Sequence, residues 1–201
     1  MNPDMLVYMD GEYKKATDAK VSVFDHGLLY GDGIFEGIRA YNGRVFKLSE
    51  HTQRFLACAK AILLEIPLTE DEINKIVLET CKRNKIKDGY IRLVATRGEG
   101  DLGIDPNKCK RPAFVFCIAA TISLYPEDMY KTGIPVITAQ QRRNNPTILD
   151  PQIKSLNYLN NILAKIEANH AGAQEAIMLA QNGVVAECTA DNIFIVKNGI
   201  I

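Results

Sequence analysis

The chain has 201 residues, 47% of them hydrophobic, which is ordinary for a soluble globular protein and enough for one large domain or two small ones. Lys plus Arg equals Asp plus Glu at 24 each, so no overall field favours nucleic acid or an anionic membrane, and the expected ligand is a small molecule. Five scattered cysteines without a C-x-x-C pair and three histidines without metal-ligand spacing suggest reduced thiols and no metal; with no signal-peptide pattern and no bilayer-length apolar run, the chain reads as cytoplasmic.

Residues 5–9 read as a strand turning at Asp10-Gly11, and residues 34–41 pair with 44–48 across Asn42-Gly43. "SEHTQRFLACAKAILLEI", from Ser49, is an amphipathic helix with Phe55, Leu56, Ala59, Ile62 and Leu63 on one side. "TEDEINKIVLETCKRN" is a second helix, opened by a capping box from Thr69 to Glu72. Strands follow at 90–96 and 112–121, giving a small α+β domain over residues 1–122. Turn signals over 123–133 mark a linker, and a second domain runs from 134 to 201.

That second domain opens with a strand at 134–140. Ser155 reads as the N-cap of a helix in which Leu156, Leu159, Leu163 and Ile166 recur, so Lys154 would sit at the positive end of a helix dipole, where a free ammonium is disfavoured. A hairpin around Asn182-Gly183 comes next. Asn198-Gly199 announces another turn, yet only Ile200 and Ile201 follow it, so the chain reads as a fragment of a longer one.

"YGDGIFEGIR" is glycine-rich, but its spacing is wrong for G-x-G-x-x-G and a strand follows instead of a helix. Alternation puts Phe35, Gly37 and Arg39 on one face and Glu36 and Ile38 on the other. Gly37 leaves space for a ligand beside Phe35, or else marks a bulge or a close backbone contact. In "YIRLVATR", Tyr90, Arg92 and Val94 share a face; a mid-strand arginine suits carboxylate recognition, though a solvated cross-strand ion pair is the commoner use. Arg54 on its helix and Lys154 before its own are, taken singly, ordinary surface residues. Glu187 shares a face with Val185 and could point inward, although an edge glutamate is the default reading.

Taken together, "VSVFDHGLLYGDGIFEGIRAYNG", "EHTQRF", "YIRLVATRGEGDLGIDP", "IKSLNYLNNILAK" and "NGVVAECTADNIF", in this order, resemble the fold-type IV pyridoxal-phosphate aminotransferases, and within them the branched-chain amino acid aminotransferases. The resemblance implies a two-domain fold like that of D-amino acid aminotransferase, with the larger domain incomplete here. It implies that Lys154 condenses with the aldehyde of pyridoxal 5'-phosphate, that Arg54 grips its phosphate, that Tyr158 bonds the ring oxygen and that Glu187 holds the ring nitrogen protonated. Tyr30, Phe35, Gly37, Arg39, Tyr90 and Arg92 match substrate positions, with Phe35 and Tyr30 as an apolar wall and Arg92 receiving the distal carboxylate of glutamate or 2-oxoglutarate.

The implied reaction is ping-pong transfer of an amino group from leucine, isoleucine or valine to 2-oxoglutarate, by a homo-oligomer. Within the same fold, a D-amino-acid aminotransferase or an aminodeoxychorismate lyase is the alternative reading. A catalytically incomplete fragment or a binding domain is the alternative from another class. Complete members of the family run longer, and the additional part is expected to supply backbone turns for the phosphate and the substrate carboxylate.

Overall fold

A computed structural model of the chain describes residues 3–110, 112–121, 126 and 128–201. It divides into two compact units. The first comprises Met1–Ser123 with Gln152–Leu156, and the second Leu124–Pro151 with Asn157–Ile201. Residues 123–125 and 127 of the expected linker lie outside the described residues.

In chain order the first unit contains β1 (Leu6–Met9), β2 (Glu12–Lys15), α1 (His26–Tyr30), β3 (Gly33–Tyr41), β4 (Arg44–Val45), α2 (Leu48–Ala61), α3 (Glu70–Arg83), β5 (Gly89–Thr96) and β6 (Phe114–Ala120). The strands form one antiparallel sheet in the order β2-β1-β6-β5-β3-β4. Both expected hairpins close at residues of positive φ, Asp10 (46°) with Gly11 (97°) and Asn42 (50°) with Gly43 (77°), the conformation that suits a two-residue turn between twisted strands. The helix α1 was missed in the sequence; Asp25 caps its start, accepting the Gly27 and Leu28 amides, and Gly31 ends it at φ 71°.

Helices α2 and α3 cover one face of this sheet. Ile34, Ile38, Ile91, Leu93 and Val115 from the strands meet Phe55, Ile73 and Val77 from the helices in a dry core. The capping box at Thr69 and Glu72 forms as expected. Helix α2 ends at Ala61, before its apolar pattern does. Leu63 turns to φ 52° and is 80% exposed, which returns buried Leu64 to the core, and Arg97 takes up the carbonyls of Ile62 and Leu63 while pairing with Asp32. The opposite face is apolar at β1 and β6, through Val7, Met9, Phe114 and Phe116, and carries the candidate site at β3 and β5.

The second unit contains α4 (Met129–Thr132), β7 (Val136–Thr138), α5 (Leu159–His170), β8 (Glu175–Leu179) and β9 (Val185–Cys188). β7 pairs parallel to β8, and β8 antiparallel to β9 across the expected Asn182-Gly183 turn. Helix α5 buries Ala164 and Ala168 against Ala139, Ala176 and Met178; Leu159, Leu163 and Ile166 of the expected stripe face solvent. Small side chains let this helix sit close to its sheet, so alanine periodicity, not leucine periodicity, marks the buried side. Asn198 and Gly199 form the expected turn between Lys197 and Ile200.

All five cysteines are buried and unpaired, and burial pushes the Cys81 thiol up to about 11 and Cys117 up to about 12. Among the described residues no helix is long and apolar enough to cross a membrane, and no cluster of His, Cys, Asp and Glu could hold a metal ion.

Candidate active site

Lys154 does not stand at a helix start. Its segment lies along the free edge of β3: the Phe35 amide donates to the Lys154 carbonyl at 3.0 Å, Ser155 pairs with Ile34, and the Leu156 amide donates to the Gly33 carbonyl at 2.9 Å. Helix α5 begins at Leu159 with Tyr158 at its N-cap, so Ser155 is a buried bridge residue, and the argument from the helix dipole does not apply. What sets the half-buried Lys154 is the strand beside it. Its Nζ lies 4.5 Å from the centre of the Phe35 ring, a cation facing an aromatic ring.

The register of β3 with β5 sets Phe35 opposite Val94, Gly37 opposite Arg92 and Arg39 opposite Tyr90. Gly37 is in unbroken register, so no bulge occurs there. A Cβ on it would lie 2.0 Å from the Tyr90 hydroxyl, so the space expected for a ligand beside Phe35 is taken by the Tyr90 phenol. That hydroxyl accepts a hydrogen bond from Arg92 Nη2 at 2.8 Å, while the Arg92 guanidinium stands 4.4 Å from the Phe35 ring centre. Arg92 is thus fixed by a phenol and an aromatic ring. Arg39 reaches over Tyr41, 5.2 Å from that ring centre, and its Nη1 is buried without a hydrogen-bond partner among the described residues. An unsatisfied buried donor costs about 1–3 kcal/mol, so this atom needs an acceptor, from water or from a ligand.

Arg54 approaches from the helical face. Its Nε and Nη2 each bind Glu36 at 2.6 Å, and His51 Nδ1 meets the same carboxylate at 2.8 Å. Glu36 is fully buried. Burial alone would raise its pKa, but the hydrogen bonds from Arg54 and His51 and their charges outweigh this and leave it below the usual carboxylate range. Glu36 and His51 were not singled out in the sequence. The available signal was a glutamate on the apolar side of a strand, between Ile34 and Ile38, which demands a cationic partner.

Tyr30 is the last residue of α1. Its hydroxyl donates to the Leu102 carbonyl at 2.5 Å and its ring packs edge-on against His26. In the second unit, Glu187 forms an ion pair with Arg143 and accepts from Asn161 Nδ2 at 3.3 Å; Arg143, with no sequence signal, also reaches Asn160 Oδ1 at 3.2 Å. Tyr158 lines a cleft of about 340 Å³ with Asn161, Glu175 and Asp191. Of the expected site residues, the structure therefore brings together Phe35, Gly37, Tyr90, Arg92 and Lys154, with Arg39 next in register.

Residues 33–201 match the model of the amino-transferase class IV family. The chain belongs to that family. A putative branched-chain-amino-acid aminotransferase of Methanocaldococcus jannaschii is 54% identical over 197 residues, 98% of this chain and 67% of the relative. Among solved structures, the branched-chain aminotransferase of Thermoproteus uzoniensis with norvaline superposes with a TM-score of 0.89 at 37% identity, covering 97% of this chain and 66% of that one. A branched-chain amino acid aminotransferase from T.th., complexed with N-(5'-phosphopyridoxyl)-L-glutamate, does so with a TM-score of 0.87 at 36% identity, covering 96% and 64%. This class IV chain thus has the α+β, fold-type IV architecture of those enzymes and spans about two thirds of their length.

Proposed function

We propose that the protein transfers amino groups from branched-chain L-amino acids to 2-oxoglutarate with pyridoxal 5'-phosphate. The observation that carries this reading is the grouping on one sheet face: the Lys154 amine over Phe35, the Arg92 guanidinium on the same ring, and the buried Nη1 of Arg39, which has no hydrogen-bond partner among the described residues. A primary amine and one arginine on the same aromatic ring, with a second arginine further along β3, suit a carbonyl compound that carries carboxylates. The branched-chain enzymes similar to this chain, one of them complexed with a phosphopyridoxyl glutamate, support the same chemistry.

When bound, pyridoxal 5'-phosphate supplies an aldehyde that condenses with amines and a ring that takes up the electron pair of a broken Cα–H bond. Lys154 is the residue that would hold it; by likeness to the family alone, its phosphate would fall to Arg54, its ring oxygen to Tyr158 and its ring nitrogen to Glu187. Lys154 Nζ, as a neutral amine, would take the α-carbon proton as a base and return a proton as an acid. Arg92 and Arg39 bind and orient substrate carboxylates, Tyr90 aligns Arg92, and Phe35 keeps water from the amine. We assign the activity to a homo-oligomer in the cytoplasm, in keeping with five unpaired thiols.

The test is glutamate formation from 2-oxoglutarate and L-leucine, with D-alanine as the competing donor. Leucine turnover well above D-alanine turnover supports the reading. Preference for D-alanine, or pyruvate release from aminodeoxychorismate, replaces it with another activity of the same fold.

A further inference from the structure

The Lys154 segment is held from two sides. On one side β3 takes the Lys154 carbonyl and the Leu156 amide. On the other lies α2, whose Cys58, 5% exposed, makes two hydrogen bonds through one sulfur: Sγ accepts the Lys154 amide at 3.3 Å, and the S–H donates to the Gln152 carbonyl at 3.8 Å. The Ser155 amide folds back to the Ile153 carbonyl at 2.8 Å, tightening the same short stretch. A thiol is both a weak donor and a weak acceptor, so a single atom can serve two main-chain groups two residues apart. Cys58 also stands one helical turn after Arg54, so one side of α2 carries both residues. As a core filler the position needs only a small apolar side chain. Filling space does not account for a sulfur bonded to both backbone groups that flank Ile153.

We propose that Cys58 is a positioning residue, whose thiol fixes the main chain of Gln152–Lys154 and thereby the height of the Lys154 amine over Phe35. The inference rests on Lys154 being the working amine. Lys154 is bound at its amide by Cys58 and at its carbonyl by Phe35, so its side chain departs from a backbone held at both ends. Loss of the thiol leaves the β3 bonds in place and frees the other side.

Three substitutions separate bonding from packing. Cys58→Ser keeps a donor and an acceptor, Cys58→Val keeps bulk without either, and Cys58→Ala removes both. Backbone hydrogen exchange on the whole chain without ligand reads the effect. In Cys58→Val and Cys58→Ala the Lys154 amide should exchange about fivefold faster, the loss of one ordinary hydrogen bond, while the Phe35 amide, bonded on the β3 side, and Leu93 in the sheet centre are unchanged. Cys58→Ser should stay within about twofold of the parent. Exchange at Lys154 as slow in Cys58→Val as in the parent overturns the proposal, as does Cys58→Ser behaving like Cys58→Val; if Cys58→Val does not fold, Cys58→Ser against Cys58→Ala decides.

Borohydride trapping of pyridoxal 5'-phosphate on Lys154 gives an independent reading. Slower trapping in Cys58→Val with recovery in Cys58→Ser ties the thiol to the amine's position, and equal rates in all variants refute that tie. No adduct even in the parent overturns the proposed function instead, and leaves the exchange result to decide the role of Cys58.

Discussion

Replacing Gly37 with alanine tests how the substrate face is built. The new Cβ would lie 2.0 Å from the Tyr90 hydroxyl and 2.8 Å from Cζ, so the phenol oxygen must retreat by about 1.4 Å to reach the 3.4 Å of ordinary contact. Arg92 Nη2 holds that oxygen at 2.8 Å, and a retreat of this size breaks the bond. A hydrogen bond to a charged group contributes about 1.5–3 kcal/mol, reduced here because both side chains are only partly buried. We expect stability to change by no more than about 1 kcal/mol, since the end of a partly exposed side chain can move. The half-reaction with 2-oxoglutarate should lose about tenfold in kcat/KM through the misaligned Arg92, and the half-reaction with leucine less. Rapid-mixing kinetics of the two half-reactions is the assay. Tyr90→Phe removes the same bond, so the double variant should be no worse than the poorer single variant. Additive losses, or an unchanged 2-oxoglutarate half-reaction in Gly37→Ala, would refute the reasoning.

Asp32→Asn should cost about 3–5 kcal/mol in urea unfolding, because Arg97, 8% exposed, would keep its charge without its carboxylate. Arg92→Gln should raise KM for 2-oxoglutarate by about tenfold or more, with a smaller effect on leucine. Glu36 and Glu175 carry an acid dependence. Burial would raise the pKa of Glu175, but bonds from the Thr189 hydroxyl and the Ala176, Thr189 and Ala190 amides leave it lowered, as Arg54 and His51 do for Glu36. Each carboxylate binds a proton less readily folded than unfolded. Its contribution is therefore complete above the unfolded glutamate value of about 4.3 and is lost as pH falls through the lowered folded value. Thermal unfolding of Glu175→Gln should show a lower midpoint near neutrality and a flatter acid limb than the parent.

What the sequence makes legible here is local. Asn42-Gly43 and the Thr69–Glu72 box need only their neighbours, and both form as expected. Period-two alternation also placed Phe35, Gly37 and Arg39 on one face and Tyr90 and Arg92 on a matching one, since a strand leaves a side chain no other choice of side. What failed depends on partners distant in the chain. Ser155 resembles a helix cap until Ile34 offers it a strand edge, and Gly37 resembles an empty place until the phenol of Tyr90 fills it. Arg54 looked like a solvated helix arginine, yet it is half exposed and doubly bonded to a carboxylate buried within the sheet. Assigning chemical roles to Lys154, Tyr158 and Glu187 rested on resemblance to a family, because periodicity describes burial and says nothing of reactivity.

The central claim is that Lys154 is the amine that holds the cofactor. The protein should be incubated with pyridoxal 5'-phosphate, reduced with borohydride, digested and mapped by mass, alongside Lys154→Ala. The account predicts one dominant phosphopyridoxyl adduct, on the peptide containing Lys154, and its loss in Lys154→Ala with the fold intact. An adduct spread over exposed lysines, or one that persists in Lys154→Ala, would contradict it.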